Sequence, residues 1–272
     1  MKKIQFRCHL LSDIILPDSS ATEGNRNTLD FIPGNNFLGI AAKSLYQEEN
    51  EHTRLIFHSG HVRFGDAHPA DGNIRSIRIP ADIYFPKYNG TEGEAYVYHC
   101  ISNLDGVRDK QLKQARKGFF ALENDIAKEV CVTKQFAIKS AYDTSNRRSE
   151  DERLFGYEAI GKGYDFLFTI ELDDEVTAFR EEIVNALTGN HHVGRSRTAQ
   201  YGWVAIQECQ FKECPSITRE ENNGEVTVYA DGRLIFFDDC GAPTLRPTAP
   251  QLGFANGEIE WSRSQVRIFQ YA

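Results

Sequence analysis

Thr188–Val204 reads TGNHHVGRSRTAQYGWV. Gly189, Gly194 and Gly202 surround Arg195, Ser196, Arg197 and the aromatic Tyr201, with Gly163 framing the unit from upstream. Glycine lets backbone amides approach an anion closely, and guanidinium groups beside such amides make an anion-binding loop. The G-x-x-x-x-G-K-[ST] spacing of a nucleoside-triphosphate loop is absent. The position of the stretch decides the fold. Before it, Tyr164, Phe166, Phe168, Ile170 and Leu172 alternate with period two and predict a strand. Asp173 or Asp174 then caps a helix whose inner face is Val176, Phe179, Ile183 and Leu187, and Gly189 stops it. After the loop, Trp203–Ile206 opens a last strand.

The N-terminal part has a matching order. Ile4, Phe6, Cys8 and Leu10 alternate with Gln5, Arg7 and His9, a half-buried first strand. A polar loop over 17–28 leads to LDFIPG and to Asn35 or Asn36 as helix caps, with Phe37, Leu38, Ala41 and Leu45 on one helical side. Residues 55–64 predict a second strand, ending in GDAHP, where Asp66 forms a turn. Gln111–Ala127 predicts a helix, and 135–153 a polar, flexible arm. The sum is strand–helix–strand, insertion, strand–helix–loop–strand, an α+β, ferredoxin-like split βαβ pattern with a helical insertion. The predicted organisation is one domain over 1–215, with the insertion at about 90–153, followed by a tail over 216–272. That tail carries a β-hairpin, Val226–Asp239, turning at Asp231-Gly232.

Hydrophobic residues at 40% of 272 support a real core and exclude a disordered chain. No apolar run approaches the roughly 20 residues of a membrane span, and no secretory leader is visible. The six cysteines, Cys8, Cys100, Cys131, Cys209, Cys214 and Cys240, are scattered without C-x-x-C and predict reduced thiols in a cytoplasmic protein. A net charge of −8 argues against coating nucleic acid non-specifically, while leaving room for one basic groove. Acids gather at Glu171, Asp173, Asp174, Glu175, Glu181 and Glu182, and bases at Lys110, Lys113, Arg116, Lys117, Arg147 and Arg148.

Three segments in this order resemble the RAMP superfamily, the RNA-binding subunits of CRISPR effector complexes. Leu29–Ala42, LDFIPGNNFLGIAA, is similar to the family's turn opening the first helix, although Asn35 and Asn36 stand where Ser or Thr is usual. Arg63–Pro69, RFGDAHP, is similar to the segment following the second strand, and Gly189–Trp203 to the glycine-rich loop. Leu154–Ile160, LFGYEAI, and GRSRTAQYG resemble the type III-D, group 5-like member that caps the 5′ end of the guide RNA. Members of that type carry a second RAMP half, so the resemblance implies that most of this half is lacking here.

The resemblance implies a non-catalytic guide-RNA-binding subunit in antiviral defence, without metal or other cofactor. Its implied partners are the CRISPR RNA, a large polymerase-like Cas subunit and backbone RAMP subunits, with no membrane. The implied contacts are Gly194, Arg195, Ser196, Arg197, Tyr201 and Gly202, with Arg147 and Arg148 along the backbone and Asn35 and Asn36 as secondary amide contacts. The alternative is a RAMP endoribonuclease processing precursor guide RNA or cleaving target RNA, with His191, His192 or Asp30 as catalytic candidates and His9 facing the histidine pair. Adjacent histidines point to different sides, which aligns at most one of them. Trp203 reads as a core residue. His52, His58, His61 and His68 do not form a zinc set by spacing.

Overall fold

The computed structural model describes residues 1–18, 25–48, 50–80, 83–87, 97–98, 111–115, 118–123, 126–143, 148–197, 200–213, 225–264 and 266. The chain divides into two units, one of Met1–Ile77, Phe119–Ser216 and Gln270–Ala272, the other of Arg78–Gly118 and Ile217–Phe269.

The first unit is built on a seven-stranded antiparallel sheet. Its strands run, in spatial order, Gly189–His192, Trp203–Glu208, Lys2–Leu10, Asp165–Leu172, His68–Asp71 and Ile74–Arg75, with Val62–Phe64 also paired to Asp165–Leu172. Alternation sets the register. Ile4, Phe6, Cys8 and Leu10 are buried, and Ile4 pairs with Ile170, Phe6 with Phe168 and Cys8 with Phe166. Lys3, Gln5, Arg7 and His9 point to the other face. A one-residue slip would exchange the two sets, so the core fixes the pairing.

Helices Gly34–Leu45 and Arg180–Leu187 pack against each other over the apolar face. Phe37 stacks on Phe168 at 3.7 Å between ring centroids, and Phe168 stacks on Phe6 at 5.1 Å. Each buried ring contributes about 1.5–3 kcal/mol of apolar burial. On the first helix the buried side is Phe37, Ile40 and Ala41, with Leu45 partly covered, whereas Leu38 faces outward. Its N-cap is Pro33, without a side-chain cap from Asn35 or Asn36. On the second, Val176, Ile183 and Leu187 are buried as the spacing predicts, although Asp174–Phe179 is a 3-10 turn and only 180–187 is α-helical. Thr188 is the C-cap, and Gly189 already opens a strand with φ of 121°.

Several expectations are corrected. Residues 55–58 belong to a π-helical turn, Arg54–His58, so the second strand is only Val62–Phe64. The predicted helix Gln111–Ala127 is replaced in its described residues by strands Leu112–Gln114, Phe119–Glu123 and Ile126–Val130. The polar arm is a long hairpin, Lys134–Asp143 paired with Arg148–Ile160. In its first strand the described side chains, 134–138, are not buried, and Phe136 and Ile138 are exposed, whereas Ala159 and Ile160 at the end of the second strand are buried. A strand wet on both sides carries no alternating signal, which is why its composition read as a loop.

In the second unit, Ile83–Pro86 pairs with Val97–Tyr98 and with Leu112–Gln114. The tail hairpin forms downstream of the expected site, Phe236–Phe237 with Pro243–Thr244. Asp238 explains the shift. Its Oδ1 accepts the amides of Cys240 at 2.9 Å and Ala242 at 2.8 Å, a side-chain-stabilised turn. Among the described residues no helix is long and apolar enough to cross a membrane, and Cys8, Cys131, Cys209 and Cys240 are free thiols.

Candidate nucleic-acid interface

The three separated segments meet at one end of the sheet. Ile32 and Ala67 exchange backbone hydrogen bonds of 3.0 and 2.8 Å, joining the IPG turn to the GDAHP segment. The buried Asp66 carboxylate accepts the Gly34 amide at 2.7 Å. Asp66 therefore caps the first helix from another segment. A Cβ on Gly34 would land on the Phe64 carbonyl, so close packing demands glycine there.

Asn36 joins the helix to the glycine-rich loop. Its Nδ2 donates to the Pro33 carbonyl at 3.2 Å, and its Oδ1 accepts the Gly194 amide at 3.1 Å. The Arg195 amide donates to the Ile15 carbonyl at 2.9 Å, and the Gly202 amide to the Asp13 carbonyl at 2.9 Å. These three amides are engaged within the protein. The loop's glycines hold it against the 13–15 segment rather than offering an open amide cradle. Gly194, with φ of 75°, presses on the Ile15 carbonyl, and Gly202, with φ of 89°, on that of Val193.

What the loop leaves outside is its charge. Ser196 adopts φ of 54°, a left-handed conformation that a non-glycine residue visits at a cost of about 1–3 kcal/mol. The reversal sits between Arg195 and Arg197, which are both exposed and, among the described residues, make no ion pair. Asn35 is exposed in the first turn of the first helix, beside the half-buried Asn36. Two exposed guanidinium groups thus lie on the loop that Asn36 ties to the first helix, and guanidinium groups suit phosphate oxygens. Tyr201 is half-buried beside them. Arg147 lies outside the described residues, as do Lys110, Arg116 and Lys117, and Arg148 is described only as the first backbone position of its strand.

The histidine pair splits across the sheet. His191 pairs with Val204, which is buried, and His192 with Trp203. Nε2 of His191 is buried without a hydrogen-bond partner among the described residues, and burial pushes its pKa down, against the opposing pull of the Leu187 and Thr188 carbonyls. His192 lies on the outer face, with its ring 5.2 Å from that of Trp203. Trp203 is 46% exposed, which corrects its assignment to the core. His9 shares the outer face with His192, not with His191, so the two imidazoles of the pair do not converge on one reacting atom. Asp30 sits between Leu29 and Phe31 at the entry to the IPG turn, half-buried.

His61, Asp173 and Glu175 bring ligand-type atoms within 4.8 Å of one another. Arg63 already occupies Asp173 through contacts of 2.6 and 3.1 Å and, with His61, holds its carboxyl well below the usual range. A resident guanidinium disfavours a cation there. His68 is buried, with Nδ1 2.9 Å from the Ser76 carbonyl, and His52 packs on Phe179.

No protein-family model matches the sequence, and no curated protein matches it. Among solved structures the chain is similar to one in the Type III-B Cmr-beta complex bound to cognate target RNA, with 10% identity, a TM-score of 0.44, and coverage of 76% of this chain and 97% of that one. It is also similar to oligomeric Cmr4 from Pyrococcus furiosus, with 12% identity, a TM-score of 0.38, and coverage of 77% and 98%. A chain of a Type IV-B CRISPR complex is similar at 12% identity and a TM-score of 0.35, over 82% of this chain and 94% of that one.

Proposed function

We propose that this chain is a non-catalytic RNA-binding subunit of a type III CRISPR effector. In this role it grips the 5′ tag of the guide RNA through Arg195 and Arg197 and takes part in antiviral defence. The observation that carries the proposal is the junction made by Asn36. It ties the IPG turn to the glycine-rich loop, on which both arginines are exposed. The sheet order Trp203–Glu208, Lys2–Leu10, Asp165–Leu172, then Val62–Phe64 supports a ferredoxin-like reading of the fold. Within this proposal the glycines act by packing, and the guanidinium groups make the phosphate contacts. A large polymerase-like Cas subunit and backbone RAMP subunits are its protein partners, and the group 5-like, guide-capping position is its place among them.

Purification of the native assembly followed by sequencing of its retained RNA tests this. Short repeat-derived RNAs sharing one 5′ end are expected. An assembly without such RNA overturns the proposal.

A further inference from the structure

A second surface lies across the sheet from the helices, and its composition follows from the register. Trp203 pairs directly with His192, and His9 pairs with Ala205 on the same strand as Trp203. His9 is therefore the diagonal neighbour of Trp203 on the outer face, about 7–8 Å away between backbones and within reach of long side chains. Ala205 pairs on its other side with Asn190. The small Ala205 therefore lies between Asn190 and His9 in the register, with Trp203 and His192 paired two positions along.

His9 is held in place. Its Nδ1 lies 2.7 Å from Asp165 Oδ1, and Asp165 Oδ2 is clasped by Arg7 at 2.6 Å. Arg7 is itself braced by the Gly72 carbonyl at 3.2 Å and by Asn73 Oδ1 at 3.1 Å. With Nδ1 committed to the carboxylate, Nε2 is left without a protein partner among the described residues, on a side chain that is 45% exposed. The Arg63–Asp173–His61 group repeats the same triad at the other end of the sheet but, among the described residues, has no exposed aromatic ring paired beside it.

We propose that this patch takes one unpaired base of a single-stranded RNA. The base stacks on Trp203, its edge or adjoining phosphate meets His9 Nε2, and Asn190 supplies amide hydrogen bonds. The chemistry favours a nucleotide over an apolar peptide. One exposed indole is ringed by imidazoles, an amide and a neutralised Arg–Asp pair, whereas a peptide groove needs continuous apolar surface. Stacking on an open ring is available to every base, and only to unpaired ones. The inference rests on the RNA-binding proposal above but uses a different face from Arg195 and Arg197.

The test uses the full chain carrying Trp261→Phe, which leaves Trp203 as the single remaining tryptophan of the two. Short single-stranded oligoadenylate, the same strand in duplex, and adenosine monophosphate are added in turn. Trp203 emission is followed together with the anisotropy of labelled RNA. Single-stranded RNA is expected to quench Trp203 saturably and duplex RNA not to. Trp203→Ala and His9→Ala should each weaken single-strand binding about tenfold. Binding that depends on Arg195 and Arg197 but leaves Trp203 emission and both variants unchanged overturns this inference and spares the loop proposal. Affinity lost in the variants without any quenching of Trp203 marks a structural effect and also overturns it, as does equal quenching by the free mononucleotide. Absence of all RNA binding removes both proposals.

Discussion

At Gly34, Gly194 and Gly202 backbone is pressed on backbone, and each amide is spent on a protein acceptor: Asp66, Asn36 and the Asp13 carbonyl. Across the sheet, His192 and Trp203 present exposed rings, and His9, held at Nδ1 by Asp165, presents its Nε2 edge. The first region resists change because no side chain fits and no donor is spare. The second can be altered with little cost to the fold, because what it offers is not yet used. Polar residues that look alike in sequence therefore serve stability in one place and recognition in the other.

The largest expected effect lies in the packed region. Gly194→Ala combines a left-handed φ with a collision against the Ile15 carbonyl, and should lower stability by about 2–4 kcal/mol in urea unfolding. Gly163→Ala is the matched control, since its φ of 90° is equally left-handed but its Cβ would enter open space. It should cost about 1–2 kcal/mol, and equal losses at both sites would break the close-packing account. Next comes Asp66→Ala, which leaves the buried Gly34 amide without an acceptor. A loss of about 1–3 kcal/mol is expected by the same measurement.

His191 gives a smaller, pH-dependent effect. Burial lowers its folded pKa below the unfolded value of about 6.5, so the fold favours its neutral form over its charged one. That contribution is fully present above about pH 6.5 and is lost as pH falls through the folded pKa. Denaturation midpoints of His191→Gln should fall less between neutral and mildly acidic pH than those of the parent. Parallel pH profiles would show that the imidazole does not titrate against the fold. Smallest of all, Trp203→Ala and the Arg195→Ala/Arg197→Ala pair should stay within about 0.5 kcal/mol of the parent, because these side chains are exposed.

The sheet core was legible because burial on one face writes itself as alternation. Ile4 to Leu10 and Phe166 to Leu172 were read directly, as was the inner face Val176, Ile183 and Leu187. The hairpin strand Lys134–Asp143 was not, since its described side chains, 134–138, include no buried one to mark a face. Nor was strand Gly189–His192, whose residues have weak strand preference and are held by pairing with Trp203–Glu208. At the candidate interface the sequence singled out the loop but not the use of its amides. Glycine tolerates both an approaching anion and an approaching carbonyl, and the choice depends on Ile15 and Asn36, which are distant in sequence. The exposure of Trp203 was hidden for a related reason. An aromatic at the start of a strand is assigned to a face only once its partner, here His192, is known. His9 and Asp165 are 156 residues apart, so nothing local announced their pairing.

The most direct measurement is the salt dependence of RNA binding by the parent chain and by the Arg195→Ala/Arg197→Ala variant. If both guanidinium groups meet phosphates, the slope of log affinity against log salt should become shallower by about 1.4, at about 0.7 per contact on a single strand. An unchanged slope would contradict the assignment of this loop as the grip on the RNA.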